Sequence, residues 1–150
     1  AIINQLNDTI WALNKEAISL TAVSDRFKVF LHKIQLNYPR IKISVNESIL
    51  KDAQFSPANA LHLFRILQEA VNNALRHSEC SNVIIHFSGN DTWSISVQDD
   101  GKGITFTGMS PIQGNGLKNI QNRSDEAGWK VSWANDQTGG TTFSVSNNIN

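Results

Sequence analysis

The chain is poor in cysteine and in net charge, and it has no long apolar run. Its single cysteine, Cys80, excludes a disulfide framework and a cysteine-rich metal site, and it suits a reducing cytoplasm. Basic and acidic residues number 13 each, so no global field recruits nucleic acid or an anionic membrane. No stretch approaches the roughly 18 consecutive apolar residues that suggest a membrane span. No signal-peptide pattern opens the chain either. A soluble protein is expected, with no nucleic acid partner and no membrane contact through these residues.

At 150 residues with 40% hydrophobic content, one ordinary domain with a real core is expected. The chain opens in helical rhythm, with Ile3, Leu6, Ile10 and Leu13 at three- and four-residue steps and neither a Met nor a cap before them. That opening points to a piece of a longer protein. Residues about 3 to 37 read as helical, with an interruption around Ala17 to Val23, and Tyr38-Pro39 ends them. Ile41 to Val45 alternates as a short strand. Ser56 caps and Pro57 opens a helix that runs to about His77. Val83 to Phe87 and Trp93 to Val97 read as a hairpin around Gly89-Asn90-Asp91. Residues 100 to 113 form a loop. A helix from Gly116 to Ala127 closes at Gly128, and two strands, Trp129 to Ala134 and Thr141 to Val145, flank Gly139-Gly140. This order implies an α+β fold, a sheet with helices on one face.

Three segments carry chemistry. In the helix Pro57 to His77, a step of about 100° per residue places Glu69, Asn73 and Arg76 on one stripe, with His77 at its edge. Ala60, Leu63, Phe64, Leu67, Val71 and Ala74 lie opposite as the core face. Asp99-Asp100-Gly101-Lys102-Gly103 follows a strand directly. A carboxylate there can accept a hydrogen bond from an exocyclic amine such as that of adenine, while the glycines let backbone approach a ligand. Gly114-Asn115-Gly116-Leu117 opens the last helix, whose free N–H groups and positive dipole end suit phosphate. Taken singly, each segment also fits a plainer role: a solvated helix face, an Asp-Gly turn, a loop at a helix start. Neither GxxxxGK[ST] nor GxGxxG is present, because Gly103 follows Lys102 and position 119 is Asn.

In this order and spacing, the three segments resemble the GHKL ATPases, and most closely the catalytic domain of bacterial sensor histidine kinases of the nitrate-sensor-like subfamily. Gln68-Glu69-Ala70 followed by Asn73-Ala74-Leu75-Arg76-His77 is similar to that subfamily's N box. The short segment from Ile104 to Gln113 matches its small ATP lid. The resemblance covers about residues 41 to 146. It implies the two-layer Bergerat fold, with residues 1–38 as the C-terminal part of a dimerisation and histidine-phosphotransfer hairpin and 39–150 as the ATP-binding domain. It implies ATP and Mg²⁺ as ligands. Asn73 would hold the metal, and Glu69, the catalytic acidic residue beside it, would orient a water or the metal. Arg76 and His77 would lie near phosphates or ribose, and Asp99 would hold the adenine amine. Gly101, Gly103 and Ile104 would shape the pocket. Gly114, Gly116 and Leu117 would let the lid close on phosphate, and Thr141 would reach adenine.

The resemblance further implies a protein histidine kinase of a two-component system, in a homodimeric parent whose partner is a response regulator receiver domain. The setting would be cytoplasmic, as the soluble part of a membrane-bound sensor or of a cytosolic one. The chain departs from the family in its acceptor. The candidate on the N-terminal helix is His32, followed by Lys33 where the family places an acidic residue. The acceptor histidine is therefore expected on a helix outside these residues, and self-phosphorylation by this chain is not expected. A stand-alone anti-sigma-type serine kinase and a degenerate interaction module of the same fold are the alternatives.

Overall fold

A computed structural model describes residues 16–104, 106–107, 110–111, 115–137 and 139–147. The apolar positions Ile3, Leu6, Ile10 and Leu13, Gly114, and the expected lid residues 108–109 and 112–113 lie outside that set. The first described strand, β1 (Ile18–Ser19), pairs antiparallel with β3 (Gln54–Phe55). Helix α1 (Leu20–Gln35) begins at the Ser19 cap, whose Oγ accepts from the Ala22 N–H at 3.0 Å. The interruption expected around Ala17 to Val23 falls at Ile18–Ser19, where the backbone is extended, and the helix begins at Leu20, earlier than expected. Pairing with a distant strand outweighs local helical rhythm at that point.

Strand β2 spans Lys42–Ile49, longer than the alternation at 41–45 suggests, because parallel pairing with β4 (Asn82–Gly89) continues through Ile49. Helix α2 (Pro57–His77) links the two. It starts as expected, with Ser56 Oγ accepting from the Asn59 N–H and Pro57 in the first turn. Strand β4 then turns into β5 (Trp93–Asp99) as an antiparallel hairpin. Between β5 and the last helix, β6 (Phe106–Thr107) pairs with β7 (Ser110–Pro111), a two-residue ladder inside the segment read as loop. Such a pair is too short to leave any period in the sequence. Helix α3 (Asn115–Ala127) ends before Gly128, which takes the left-handed φ of 76° expected of a helix stop. Strands β8 (Trp129–Asn135) and β9 (Thr141–Asn147) finish the fold. The five-stranded order is β2-β4-β5-β9-β8, parallel only at β2–β4.

One face of the sheet makes the core. Val83, Ile85 and Phe87 of β4, Ile95 and Val97 of β5, and Phe143 and Val145 of β9 are buried at every second residue. The helices cover that face with Leu20, Val23, Phe27 and Leu31 from α1, Leu63, Ile66, Leu67 and Val71 from α2, and Ile120 from α3. Phe27 stands edge-on to Phe64, with centroids 5.7 Å apart, and to Phe87 at 6.4 Å, so α1 belongs to the same core as α2 and the sheet. At the other end, Phe55, Trp93 and Trp129 form a mutually perpendicular cluster with centroids 5.1 to 5.9 Å apart.

Candidate functional site

Helix α2, the end of β5 and the start of α3 converge on a cavity of about 570 Å³, large enough for a nucleotide-sized ligand. From α2 come Glu69, Asn73, Arg76 and His77, all four lining it as the helical stripe requires. Arg76 and His77 are exposed at the mouth, whereas Asn73 and Glu69 are half-buried deeper in. From β5 and the turn after it come Asp99, Gly103 and Ile104, and from α3 come Gly116 and Leu117. Thr141 closes the set from β9, where it pairs directly with Asp99.

Asp99 is the buried charge of this cavity, 7% exposed. Its Oδ1 accepts from the Gly101 N–H at 2.9 Å. Burial pushes the Asp99 carboxyl above its ordinary value, while backbone N–H groups of Gly101 and Thr141 pull it back down. Asp100, one residue on, has a different task. It accepts from the Ser81 and Asn82 N–H groups and from Asn82 Nδ2 at 2.8 to 2.9 Å, and these bonds hold its pKa below the ordinary value. Thus Asp99 faces the cavity and Asp100 ties β5 to the turn before β4.

The glycines act by close approach. A Cβ on Gly101 would overlap the Ser78 carbonyl, which accepts from the Lys102 N–H at 2.7 Å. Gly101 therefore lies behind the cavity wall and acts through Asp99 and Ser78. A Cβ on Gly116 would overlap the Glu69 carboxylate and press on Asn73 Oδ1, so glycine there lets the start of α3 sit against both. Gly103 has a left-handed φ of 82°. Gly114 lies outside the described residues.

Several lining residues escape a reading by motif. Val97, Trp133 and Phe143 form an apolar wall, with the Trp133 and Phe143 rings 5.3 Å apart and tilted by 50°. They sit on three adjacent strands and meet through the pairings Val97–Phe143 and Trp133–Phe143. Cross-strand register of this kind leaves no local signal. Asn135 lies in no motif either. Its Oδ1 accepts from the Ile104 N–H at 2.8 Å and from Thr141 Oγ1 at 3.2 Å, and its Nδ2 donates to the Ile104 carbonyl at 2.8 Å. That clasp fixes the loop carrying Ile104 against the cavity.

A model of the histidine kinase-, DNA gyrase B- and HSP90-like ATPases matches residues 58–148, more than half of the chain. The chain belongs to this ATPase family. Among curated relatives, sensor protein VraS of Staphylococcus aureus is 43% identical over 68 residues, covering 45% of this chain and 19% of the relative. The chain thus spans about a fifth of the length of the curated relatives it matches. Among solved structures, Acinetobacter baumannii histidine kinase AdeS superimposes with a TM-score of 0.69 at 17% identity, over 99% of this chain and 77% of that one. A mycobacterial sensor histidine kinase, MprB, gives 0.64 at 19% identity, over 89% and 96%. At such identities the likeness is one of fold: the mixed sheet and helices are those of the histidine kinase ATPase domains. No helix among the described residues is long and apolar enough to cross a membrane.

Proposed function

We propose that this chain is the Mg-ATP-binding catalytic domain of a two-component sensor histidine kinase. The observation that carries the reading is the convergence of Glu69, Asn73, Asp99, Gly116 and Thr141 on one cavity of nucleotide size in a member of this ATPase family. Asp99, ionised, accepts a hydrogen from the adenine amine, and Thr141 supports it from the next strand. Val97, Ile104, Trp133 and Phe143 hold the ring and exclude water, which strengthens the polar contact to Asp99.

The donor set also fits Mg²⁺. Among the described residues no cluster of three or more His, Cys, Asp or Glu is present, so an all-protein cage is not expected. Mg²⁺ bound with few protein ligands takes phosphate oxygens and water for the rest. Asn73 Oδ1 is the residue to hold it, and Glu69 beside it orients a water or the attacking group. The bound ion supplies neutralisation of phosphate charge. Amides at the start of α3, brought close by Gly116, hold phosphate oxygens by the same logic. Arg76 and His77, at the mouth, contact phosphate or ribose. Phosphoryl transfer then needs positioning and charge neutralisation more than covalent chemistry.

The acceptor histidine is assigned to a helix outside these residues, because Lys33 follows His32 where the family places an acidic residue. The end of the dimerisation hairpin is assigned to the residues before α1, and the ATP-binding unit, expected from residue 39, is taken to include α1, because Phe27 packs on Phe64 and Phe87 in its core. The parent is assigned as a cytoplasmic-facing homodimer that passes phosphate to a response regulator receiver domain. Calorimetric titration with ADP, with and without Mg²⁺, tests the reading. Saturable, Mg-strengthened ADP binding is expected, and with Mg-ATP in place of ADP, transfer of the γ-phosphoryl to a histidine of a supplied acceptor-helix domain, leaving ADP. Absence of adenine-nucleotide binding by the wild-type chain would sink it.

A further inference from the structure

A second, smaller hollow of about 200 Å³ lies between α2 and α3, separate from the nucleotide cavity except for the shared Glu69. Its lining is mostly polar: Arg65, Gln68 and Asn72 on α2 face Asn119 and Arg123 on α3. Gln68 is only 9% exposed, and its Oε1 accepts from Arg65 Nη1 at 2.9 Å. Its Nε2 finds no acceptor among the described residues. A buried donor left unsatisfied costs about 1–3 kcal/mol, so a site that keeps one asks for an acceptor. Arg123 meets the His62 ring at Nδ1, 3.5 Å away, and no carboxylate pairs with it among the described residues. The two guanidiniums are close enough to oppose each other: burial, then the Arg123 charge, lowers the pKa of Arg65.

These donors converge on a hollow that an anion would fill. Asn72 and Asn119 add two side-chain amides at its wall, and planar guanidiniums match a two-oxygen acceptor. The Glu69 carboxylate on the same wall disfavours a dianion. We propose that this hollow binds a carboxylate, held by Arg123, Arg65 and the Gln68 amide. The residues that carry this inference lie outside the nucleotide cavity, so it does not depend on the nucleotide reading.

The test follows the side-chain amide signals of Gln68, Asn72 and Asn119 by NMR on the whole chain, at constant ionic strength with chloride as the balancing anion. Sodium acetate and N-acetyl-aspartate amide are titrated as carboxylates, and inorganic phosphate as the competing oxyanion. Saturable shifts with the carboxylates are expected, weakened at least tenfold by Arg123→Gln. Asn119→Asp, on an exposed rim position, should weaken them similarly by placing a competing carboxylate at the site. Tighter binding of the blocked aspartate than of acetate would identify an acidic side chain of a polypeptide as the source. Equal binding would identify a small free carboxylate. Shifts that do not saturate, that survive both substitutions unchanged, or that favour phosphate tenfold over acetate would overturn the proposal.

Discussion

Asp99 combines a functional demand with a cost to the fold. Its carboxyl sits above the ordinary range because burial disfavours its charge. A group whose folded pKa is raised contributes stability that is complete below the unfolded pKa and is lost as pH rises through the folded one. At neutral pH, then, ionised Asp99 weakens the fold. Asp99→Asn should leave the thermal midpoint unchanged or higher while lowering ADP affinity about 100-fold, the cost of unpairing a charged buried hydrogen bond. Calorimetry and a thermal scan of the same sample check both halves. For the wild type, ADP affinity should fall as pH drops through the raised Asp99 pKa, above the usual carboxylate range near about 4. Gly101 is constrained differently, since the Ser78 carbonyl occupies the space a side chain would need. Gly101→Ala should cost about 1–3 kcal/mol in chemical denaturation, as overpacking does, and displace the N–H that Asp99 uses.

Among the elements, α1 is joined to the sheet by contacts that the sequence pattern does not reveal. Glu47 on β2 pairs with Lys28 of α1 at 2.5 Å and accepts from the buried Ser24 hydroxyl. The Lys28 and Ser24 hydrogen bonds hold the Glu47 carboxyl below its usual value, so its stabilisation is present above the unfolded pKa and is lost as pH falls through the folded one. Because Lys28 is largely solvated, Glu47→Gln should cost only about 0.5–1 kcal/mol, and the loss should shrink in high salt. A double-mutant cycle with Lys28→Met measures the coupling. At the end of α2, Glu79 adopts a left-handed φ of 56°, which an L-residue accepts at a cost. Glu79→Gly should therefore raise stability by about 0.5–1 kcal/mol, read as a higher denaturant midpoint with nucleotide affinity unchanged.

At the scale of the whole molecule, α1 is part of the core. Phe27, fully buried, touches rings on α1 itself, on α2 and on β4. A chain beginning at Pro39 would leave Phe64 and Phe87 without this cover. It should lose the cooperative unfolding transition, and near-ultraviolet circular dichroism of the truncated chain checks that. Phe27→Ala in the full chain should cost about 3–5 kcal/mol. A separable α1 would give the opposite result in both experiments.

Much of the fold was legible because its signals are local. Ser56-Pro57 opens a helix wherever the following residues are amphipathic, Gly128 permits a left-handed stop, and alternation marks β4, β5 and β9. The stripe of Glu69, Asn73, Arg76 and His77 follows from helical period alone, and the structure brings all four to one cavity. Pairing was not legible. The pairing of Ile18–Ser19 with Gln54–Phe55, the continuation of β2 to Ile49, and the wall of Val97, Trp133 and Phe143 depend on which strands lie side by side. The Asn135 clasp and the hollow between Arg65 and Arg123 are likewise encounters of residues 31 and 58 positions apart. Helical period and turn chemistry act over a few residues and are written in the chain. Register, burial and the meeting of distant side chains arise only when the sheet and helices close on a common core.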